Sequence, residues 1–401
     1  MGITRRNFMA ATAAIPLTSA SLRAANPSGL TFGPDATVLK EGKPYRGVGI
    51  NYYDCFCRTL KNHADTSYQE GFQVLADHGV PFVRFACTAS WPIEMRLYRE
   101  DSGKYFSLLD GVVRTAEKHR IGLIPSMFWS KVCVPDLVGE PGDQWGNPDS
   151  KTQAFIRQYV HEVVGRYRES AALWAWEFGN EFDSYTDMPN AATFLPAHNL
   201  PKTDPKQGTP AKRTPRDFPK TKYNIVAFRE FAKAVRRDDP YRLIDNGCSI
   251  TGKRAWHYYK EQSFSNDSPE QFEYMLNLTS PDPVNLISIH CYQDLPKEKG
   301  FWRDEQDRLD GAVAAARNIG KPLFVGEFSP VNDYAADSAE AREAFEKFLD
   351  KMDRLAVPLA AAWVFDYPPQ EADRNITATN KRAWQFPLLR AQNEKLARGV
   401  A

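Results

Sequence analysis

Two carboxylates carry the first chemical signal in this chain. Glu181 follows Asn180 at the end of the apolar run 173–180 (LWAWEFGN), and Glu327 falls near the end of the run 322–328 (PLFVGEF). Facing carboxyl groups are what cleavage of a glycosidic bond requires. One protonates the departing oxygen, and the other attacks the anomeric carbon or activates water. A separation of roughly 5–5.5 Å directs retention, and roughly 6.5–9.5 Å directs inversion. Either glutamate alone reads as a solvated carboxylate or an ion-pair partner; two of them, each closing an apolar run among polar neighbours, shift the balance toward chemistry. Other side chains recur at comparable positions: Arg84 in the run 81–88, His290 and Tyr292 at the end of 285–292, and Trp363 within 360–366. The plain alternatives are an ion-pair partner for Arg84, a satisfied buried histidine for His290 and core packing for Trp363. Glu177, four residues before Glu181, reads as a support residue.

Something must bring these positions together. Eight short runs rich in Val, Ile and Phe recur, at 45–52, 81–88, 121–128, 173–180, 242–247, 285–292, 322–328 and 360–366. They are unbroken rather than alternating, which suits parallel strands buried on both faces. Helical spacing appears between them at 67–78, 108–119, 151–168, 225–236, 302–318 and 341–355. Strand and helix in alternation predict right-handed crossovers, and eight units predict an α/β fold of the (β/α)8 TIM-barrel type. An open doubly wound sheet is the alternative, weakened because no GxGxxG or Walker loop follows any strand. In a barrel, functional groups stand where strands end at the C-terminal face. Strands 4 and 7 then place Glu181 and Glu327 across one mouth.

The ordered set resembles a known family. Residues 176–181 (WEFGNE) are similar to the Asn-Glu motif of the retaining clan A glycoside hydrolases. His290-Cys291-Tyr292 and Val325-Gly326-Glu327 resemble the strand 6 and strand 7 motifs of glycoside hydrolase family 5, the cellulase and mannanase family, with Arg84 and Trp363 at its strand 2 and strand 8 positions. The resemblance covers residues 33 to about 390. It implies that Glu181 is the acid/base and Glu327 the nucleophile, that Asn180 bonds the sugar 2-hydroxyl, and that Arg84 keeps Glu327 ionised. It also implies that Tyr292 donates to Glu327, that His290 stands near Glu181 or a sugar hydroxyl, and that Trp363 floors the subsite of the reacting sugar. No cofactor or metal is implied. Strand 3 departs from the pattern: 124–129 (IPSMFW) lacks the histidine that many members carry there. The function so implied is an exported retaining glycosidase acting by double displacement on a β-linked glucan or mannan. A catalytically weak sugar-binding barrel is the alternative. A metal-dependent hydrolase is disfavoured, because none of the seven histidines forms an HxH pair at a strand end.

Composition narrows the rest. Lys+Arg is 51 against Asp+Glu 50, which argues against a nucleic-acid partner. Hydrophobic residues at 42% and charged residues at 25% exclude a disordered chain. Residues 4–9 (TRRNFM) resemble a twin-arginine export signal, and the small-residue stretch after it is too short to span a bilayer. Setting 1–25 aside leaves 26–401 as one catalytic domain, expected to be a periplasmic or secreted monomer binding carbohydrate. The six cysteines show no zinc spacing and read as buried thiols, with room for one disulfide. Trp91, Trp129, Trp145 and Trp302 fall in loops at the expected mouth as sugar platforms, and Asn51, Tyr52 and Asp54 as hydroxyl binders. The stretch 184–222 has seven prolines and no periodicity. It is expected to lie over the mouth, held by few contacts, as one wall of the cleft.

Overall fold

The computed structural model describes residues 28–88, 90–191, 203–292, 308–330 and 334–399. Eight parallel strands form its centre: β1 Gly47–Asn51, β2 Phe82–Ala86, β3 Gly122–Phe128, β4 Ala175–Gly179, β5 Leu243–Asp245, β6 Ile287–Tyr292, β7 Leu323–Ser329 and β8 Leu359–Ala362. All but the last residue of β6 are buried, as unbroken apolar runs require. The hydrogen-bonded order is β5–β4–β3–β2–β1–β8–β7–β6. The two ends meet: the carbonyl of Ile244 in β5 accepts from the amides of Asn285 and Leu286, just ahead of β6, both at 3.0 Å. The sheet is therefore a closed barrel, and the open-sheet alternative fails.

Each strand is followed by one longer helix: α1 Tyr68–Asp77, α2 Ser102–His119, α3 Lys151–Tyr167, α4 Thr221–Asp238, α5 Pro269–Thr279, α6 Leu309–Ile319, α7 Ala339–Arg354 and α8 Gln385–Gly399. Each buries one stripe, as α4 does with Phe228, Phe231 and Val235. Six match the periodic stretches in the sequence, although residues 302–307 of the expected sixth helix lie outside the described residues. Helices α5 and α8 were not anticipated. The start of α5 was readable: Ser268 accepts from the amide of Gln271, the Gln271 side chain returns to the Ser268 amide, and Pro269 fills the first turn.

The N-terminal end of the barrel is plugged. A three-stranded antiparallel sheet, Leu30–Phe32, Val38–Lys40 and Lys43–Pro44, packs across it. Leu30 and Val38 join Phe82, Ile124, Trp174 and Phe324 in an apolar cluster separate from the main core. At the rim, the buried Asp239 accepts from Trp176 Nε1 at 2.8 Å and Arg242 Nη1 at 2.7 Å. All six cysteines are buried and none forms a disulfide, so the expected room for one is not used. Among the described residues no helix is long and apolar enough to cross a membrane. The twin-arginine stretch lies outside the described residues.

Candidate active site

The opposite end of the barrel gathers the polar residues. Arg84 projects from the middle of β2 and is fully buried. Its Nε donates to Glu177 Oε2 at 2.7 Å. Its Nη1 donates to Glu327 Oε1 at 2.7 Å and Asn51 Oδ1 at 3.0 Å, and its Nη2 to Asn180 Oδ1 at 2.9 Å. One planar guanidinium thus fixes side chains from β1, β4 and β7, a task its fork geometry suits. Burial works against its charge, but Glu177 and Glu327 outweigh burial, and its pKa is raised.

Glu181 sits one residue past Asn180, beyond the end of β4, in a left-handed conformation with φ +51°. That conformation is unusual for a side-chain-bearing residue and often marks a functional position. It is held from the turn after β5: the Glu181 amide donates to the carbonyl of Gly247 at 2.8 Å. Gly247 has φ +63°, and a Cβ there would stand 1.8 Å from the carbonyl oxygen of Gly179. Only glycine fits this turn.

Between the two glutamates stands His290. Its Nδ1 lies 2.8 Å from Glu181 Oε1 and 3.5 Å from Glu327 Oε2. One donor atom from each of Glu181, His290 and Glu327 falls within 4.8 Å of the others. The nearest approach of the two carboxyl groups is therefore no more than 4.8 Å, which suits a direct displacement. Tyr292 donates to Glu327 Oε2. Burial, then the Glu327 charge, pushes the Tyr292 phenol far up, so it remains a donor.

The charges on the pair are unequal. Burial opposes a proton on His290, but Glu327 and the bond with Glu181 outweigh burial and raise its pKa. Burial pushes Glu181 up, but His290, Lys131 and Arg84 pull it below its ordinary value. As arranged, the proton belongs to His290, the reverse of what the resemblance implies for Glu181 as acid. At 2.8 Å the two groups compete for one proton, so their titrations are linked.

Three donors close together also fit a cation in principle. Both oxygens of Glu327, however, already accept from Arg84 and Tyr292. An ion there would stand beside a buried guanidinium, so the residues do not suit a resident metal.

The seven residues expected to form the catalytic centre are brought to this mouth: Arg84, Asn180, Glu181, His290, Tyr292, Glu327 and Trp363. Two cavities flank Glu181. One of about 300 Å³ is lined by Glu327, Tyr292, Trp363, Trp129 and Arg374. The other, of about 530 Å³, extends past Glu181 between Trp91, Trp129, Lys131, Phe218 and Tyr223. Trp129 and Trp363 are near parallel, 19° apart with centroids at 6.1 Å, and Trp363 is steadied by Nε1 donating to Gln370 at 2.7 Å.

Several expectations are corrected. Asn51 does not face the cavity; its amide bonds the Gly326 carbonyl and its oxygen holds Arg84. Tyr52 is buried against Phe72 and Phe365, and Asp54 is paired with Arg58. Trp145 is almost wholly buried, its Nε1 donating to the Lys131 carbonyl, so it anchors a loop more than it offers a platform. Trp302 lies outside the described residues. The wall of the larger cavity does include residues 217–220, as expected for the long stretch after β4. The described part of that stretch is not loosely held: Arg213 makes a two-pronged, nearly buried pair with Asp136, and Arg216 makes a two-pronged but largely exposed pair with Asp143. Polar caps and ion pairs replace the apolar contacts it lacks. Residues 192–202 of it lie outside the described residues.

The sequence reading missed Tyr53, Lys131, Arg374 and Asp245. The first three are ordinary loop residues without a pattern. Asp245 had a readable signal, a carboxylate inside an apolar strand and level with Glu177 on the neighbouring one.

A closed barrel with two facing carboxylates under aromatic walls defines a class of site suited to acetal chemistry on sugars. The sequence fits a particular family within it: residues 40–366 match the family described as cellulase, glycosyl hydrolase family 5. The chain belongs to that family. It is 28% identical over 335 residues to mannan endo-1,4-beta-mannosidase F of Aspergillus clavatus, covering 78% of this chain and 66% of that one. It is 39% identical over 241 residues to the probable mannan endo-1,4-beta-mannosidase A of Aspergillus flavus, covering 57% and 50%. The chain thus spans about two thirds or less of the length of these relatives. A glycoside hydrolase family 5 mannosidase from Rhizomucor miehei shares the fold, with a TM-score of 0.65 at 14% identity, over 94% of this chain and all of that one.

Proposed function

We propose that this chain is a retaining β-glycosidase that cleaves β-1,4-linked mannan or its oligosaccharides. The observation that carries the mechanism is the short Glu181–Glu327 approach, with Arg84 and Tyr292 both bonded to Glu327. The names of the relatives support mannan over glucan.

In this reading Glu327 attacks the anomeric carbon of a sugar seated in the smaller cavity on Trp363. The leaving oxygen takes a proton from Glu181. Moving the shared proton across the 2.8 Å contact from His290 Nδ1 to Glu181 Oε1 makes Glu181 the acid and leaves His290 neutral. Glu181 then accepts a proton from water as the glycosyl–Glu327 ester is hydrolysed. Asn180, held by Arg84, is the partner for the 2-hydroxyl. The leaving portion occupies the larger cavity. Residues 4–9 support export through a twin-arginine route and action outside the cytoplasm.

The test is hydrolysis of purified β-1,4-mannan, β-1,4-glucan and their oligosaccharides, with product sizing, before and after chelator treatment. Release of manno-oligosaccharides unaffected by chelator is expected. Activity on glucan alone would overturn the substrate assignment. Activity lost to chelator and restored by a divalent cation would favour a metal held by Glu181, His290 and Glu327.

A further inference from the structure

Beneath the two glutamates lies a carboxyl pair that the proposed mechanism does not use. Glu177 in β4 and Asp245 in β5 are level neighbours on adjacent strands, and both are fully buried. Glu177 Oε2 takes the Arg84 Nε bond, and Asp245 Oδ1 takes the Gly247 amide at 2.8 Å. The remaining oxygens, Glu177 Oε1 and Asp245 Oδ2, accept from no donor among the described residues. The two carboxyl groups nevertheless crowd one another: a Cβ on Gly247, whose amide Asp245 Oδ1 holds, would stand 2.9 Å from Glu177 Oε1. Two carboxylates cannot meet so closely, away from water, with both ionised. Nor is there charge to hold both: Arg84 already faces Glu177 and Glu327. One proton between them removes the repulsion and satisfies both orphaned oxygens at once.

We propose that Asp245 carries that proton at neutral pH and donates it to Glu177, making Asp245 a positioning residue for both halves of the active site. Its place in the bond network gives the role. One arm runs from Asp245 Oδ2 to Glu177, from Glu177 to Arg84, and from Arg84 to Glu327 and Asn180. The other runs from Asp245 Oδ1 to the Gly247 amide, and from the Gly247 carbonyl to the Glu181 amide. A single neutral carboxyl group thus ties the nucleophile side to the acid side without touching substrate. Glu177 is placed to receive the proton rather than give it, because its other oxygen already accepts from a guanidinium. Burial and the adjacent Glu177 push the Asp245 carboxyl far above its ordinary value, with Arg84 pulling the other way, in keeping with the geometry.

This role rests on the glycosidase reading, but the proton does not, so the two are tested apart. Infrared difference spectra of the folded protein, wild type minus Asp245→Asn, should show a protonated carboxyl C=O band at neutral pH that is missing from the variant. This needs no substrate. Asparagine keeps both bonds, its amide donating to Glu177 and its oxygen accepting from Gly247, so Asp245→Asn should keep kcat near wild type. Asp245→Ala removes both and should lose roughly ten- to a hundredfold in kcat, the range for outer-shell partners, with KM little changed. If Asp245→Ala does not fold, the band and the asparagine variant still decide. No carboxyl band, or an asparagine variant as impaired as the alanine one, overturns the proposal. If the wild type is inactive on every β-mannan and β-glucan but the band is present, the glycosidase reading fails and the neutral Asp245 stands.

Discussion

The two ends of this barrel are built on opposite rules. At the N-terminal end, Leu30, Val38, Phe82, Ile124, Trp174 and Phe324 close the core as an apolar plug. The buried ion there, Asp239, is fully answered by Arg242 and Trp176. At the C-terminal end Arg84 is shared among four acceptors, Glu181 adopts a left-handed backbone, His290 Nε2 finds no partner among the described residues, and Glu177 Oε1 and Asp245 Oδ2 have only one another. One end has its polar groups satisfied and its shape filled. The other holds several ionisable groups in tension around two cavities. The contrast teaches where to look for stability and where for chemistry in a barrel of this kind.

The comparison predicts that substitutions at the mouth change rate without unfolding the chain, and that substitutions at the plug do the reverse. The largest effect belongs to Glu327→Ala: turnover should fall by roughly 10⁴-fold or more on every substrate. The unfolding midpoint should not fall, because a buried carboxylate is removed. A midpoint that drops steeply would make Glu327 a structural residue.

Glu181→Ala should come next, losing about 10²–10⁴-fold on mannan, the range for general acid–base catalysis. Aryl mannosides with good leaving groups need no proton and should lose much less in the first step. Azide should restore their turnover with a β-configured product. Equal losses on good and poor leaving groups would contradict the division of roles between the two glutamates.

Trp174→Ala is the counterpart at the plug. Its ring is buried against Phe82, Tyr45 and the Lys40 ammonium. The loss should be about 3–5 kcal/mol of stability, as for other buried tryptophans cut to alanine. Chemical denaturation checks this, and kcat per folded molecule should be unchanged. A kcat that falls with stability intact would mean that the two ends are coupled.

Much of this contrast is legible in the sequence. The eight unbroken apolar runs announce buried parallel strands, and the polar residues at their ends announce the mouth. The plug was not legible, because its three strands have two or three residues each and carry no period. Helix α8 was missed although Phe386 and Leu389 are buried at helical spacing. At the site, residue types were enough to choose Glu181, His290 and Glu327. The positive φ of Glu181 and the Gly247 contact that supports it come from a neighbouring strand, and no local pattern reports them. The same holds for Asn51: a polar residue ending a strand suggests a ligand, but here Arg84 takes its oxygen. The stretch after β4 misled for a further reason, since low apolar content was read as looseness while Arg213 and Arg216 pin it by charge.

Two smaller effects sharpen the comparison through pH. At the mouth, the proton shared by His290 and Glu181 is held because the His290 pKa is raised. The active, singly protonated pair is present below that pKa and lost as pH rises through it. The alkaline limb of kcat/KM should therefore lie above about 6.5, the ordinary histidine value. A limb below that value would contradict the shared proton. At the plug, burial pushes Asp239 up, but the Trp176 bond and Arg242 pull it further down, and its pKa is lowered. Its contribution to stability is present above the ordinary carboxylate pKa and lost as pH falls through its folded value. Asp239→Asn should flatten the acid end of the stability curve and leave the kcat/KM profile in place. An unaltered acid end would remove Asp239 from the account of the plug.

The central claim is that Glu181 and Glu327 stand close enough for a covalent displacement rather than attack by a water between them. Proton NMR of the first sugar released from a β-1,4-manno-oligosaccharide, recorded before mutarotation, tests it directly. The β anomer should appear first, with the α anomer growing in later. An α anomer as the first product would contradict it, because one inversion cannot follow from a glycosyl–Glu327 intermediate.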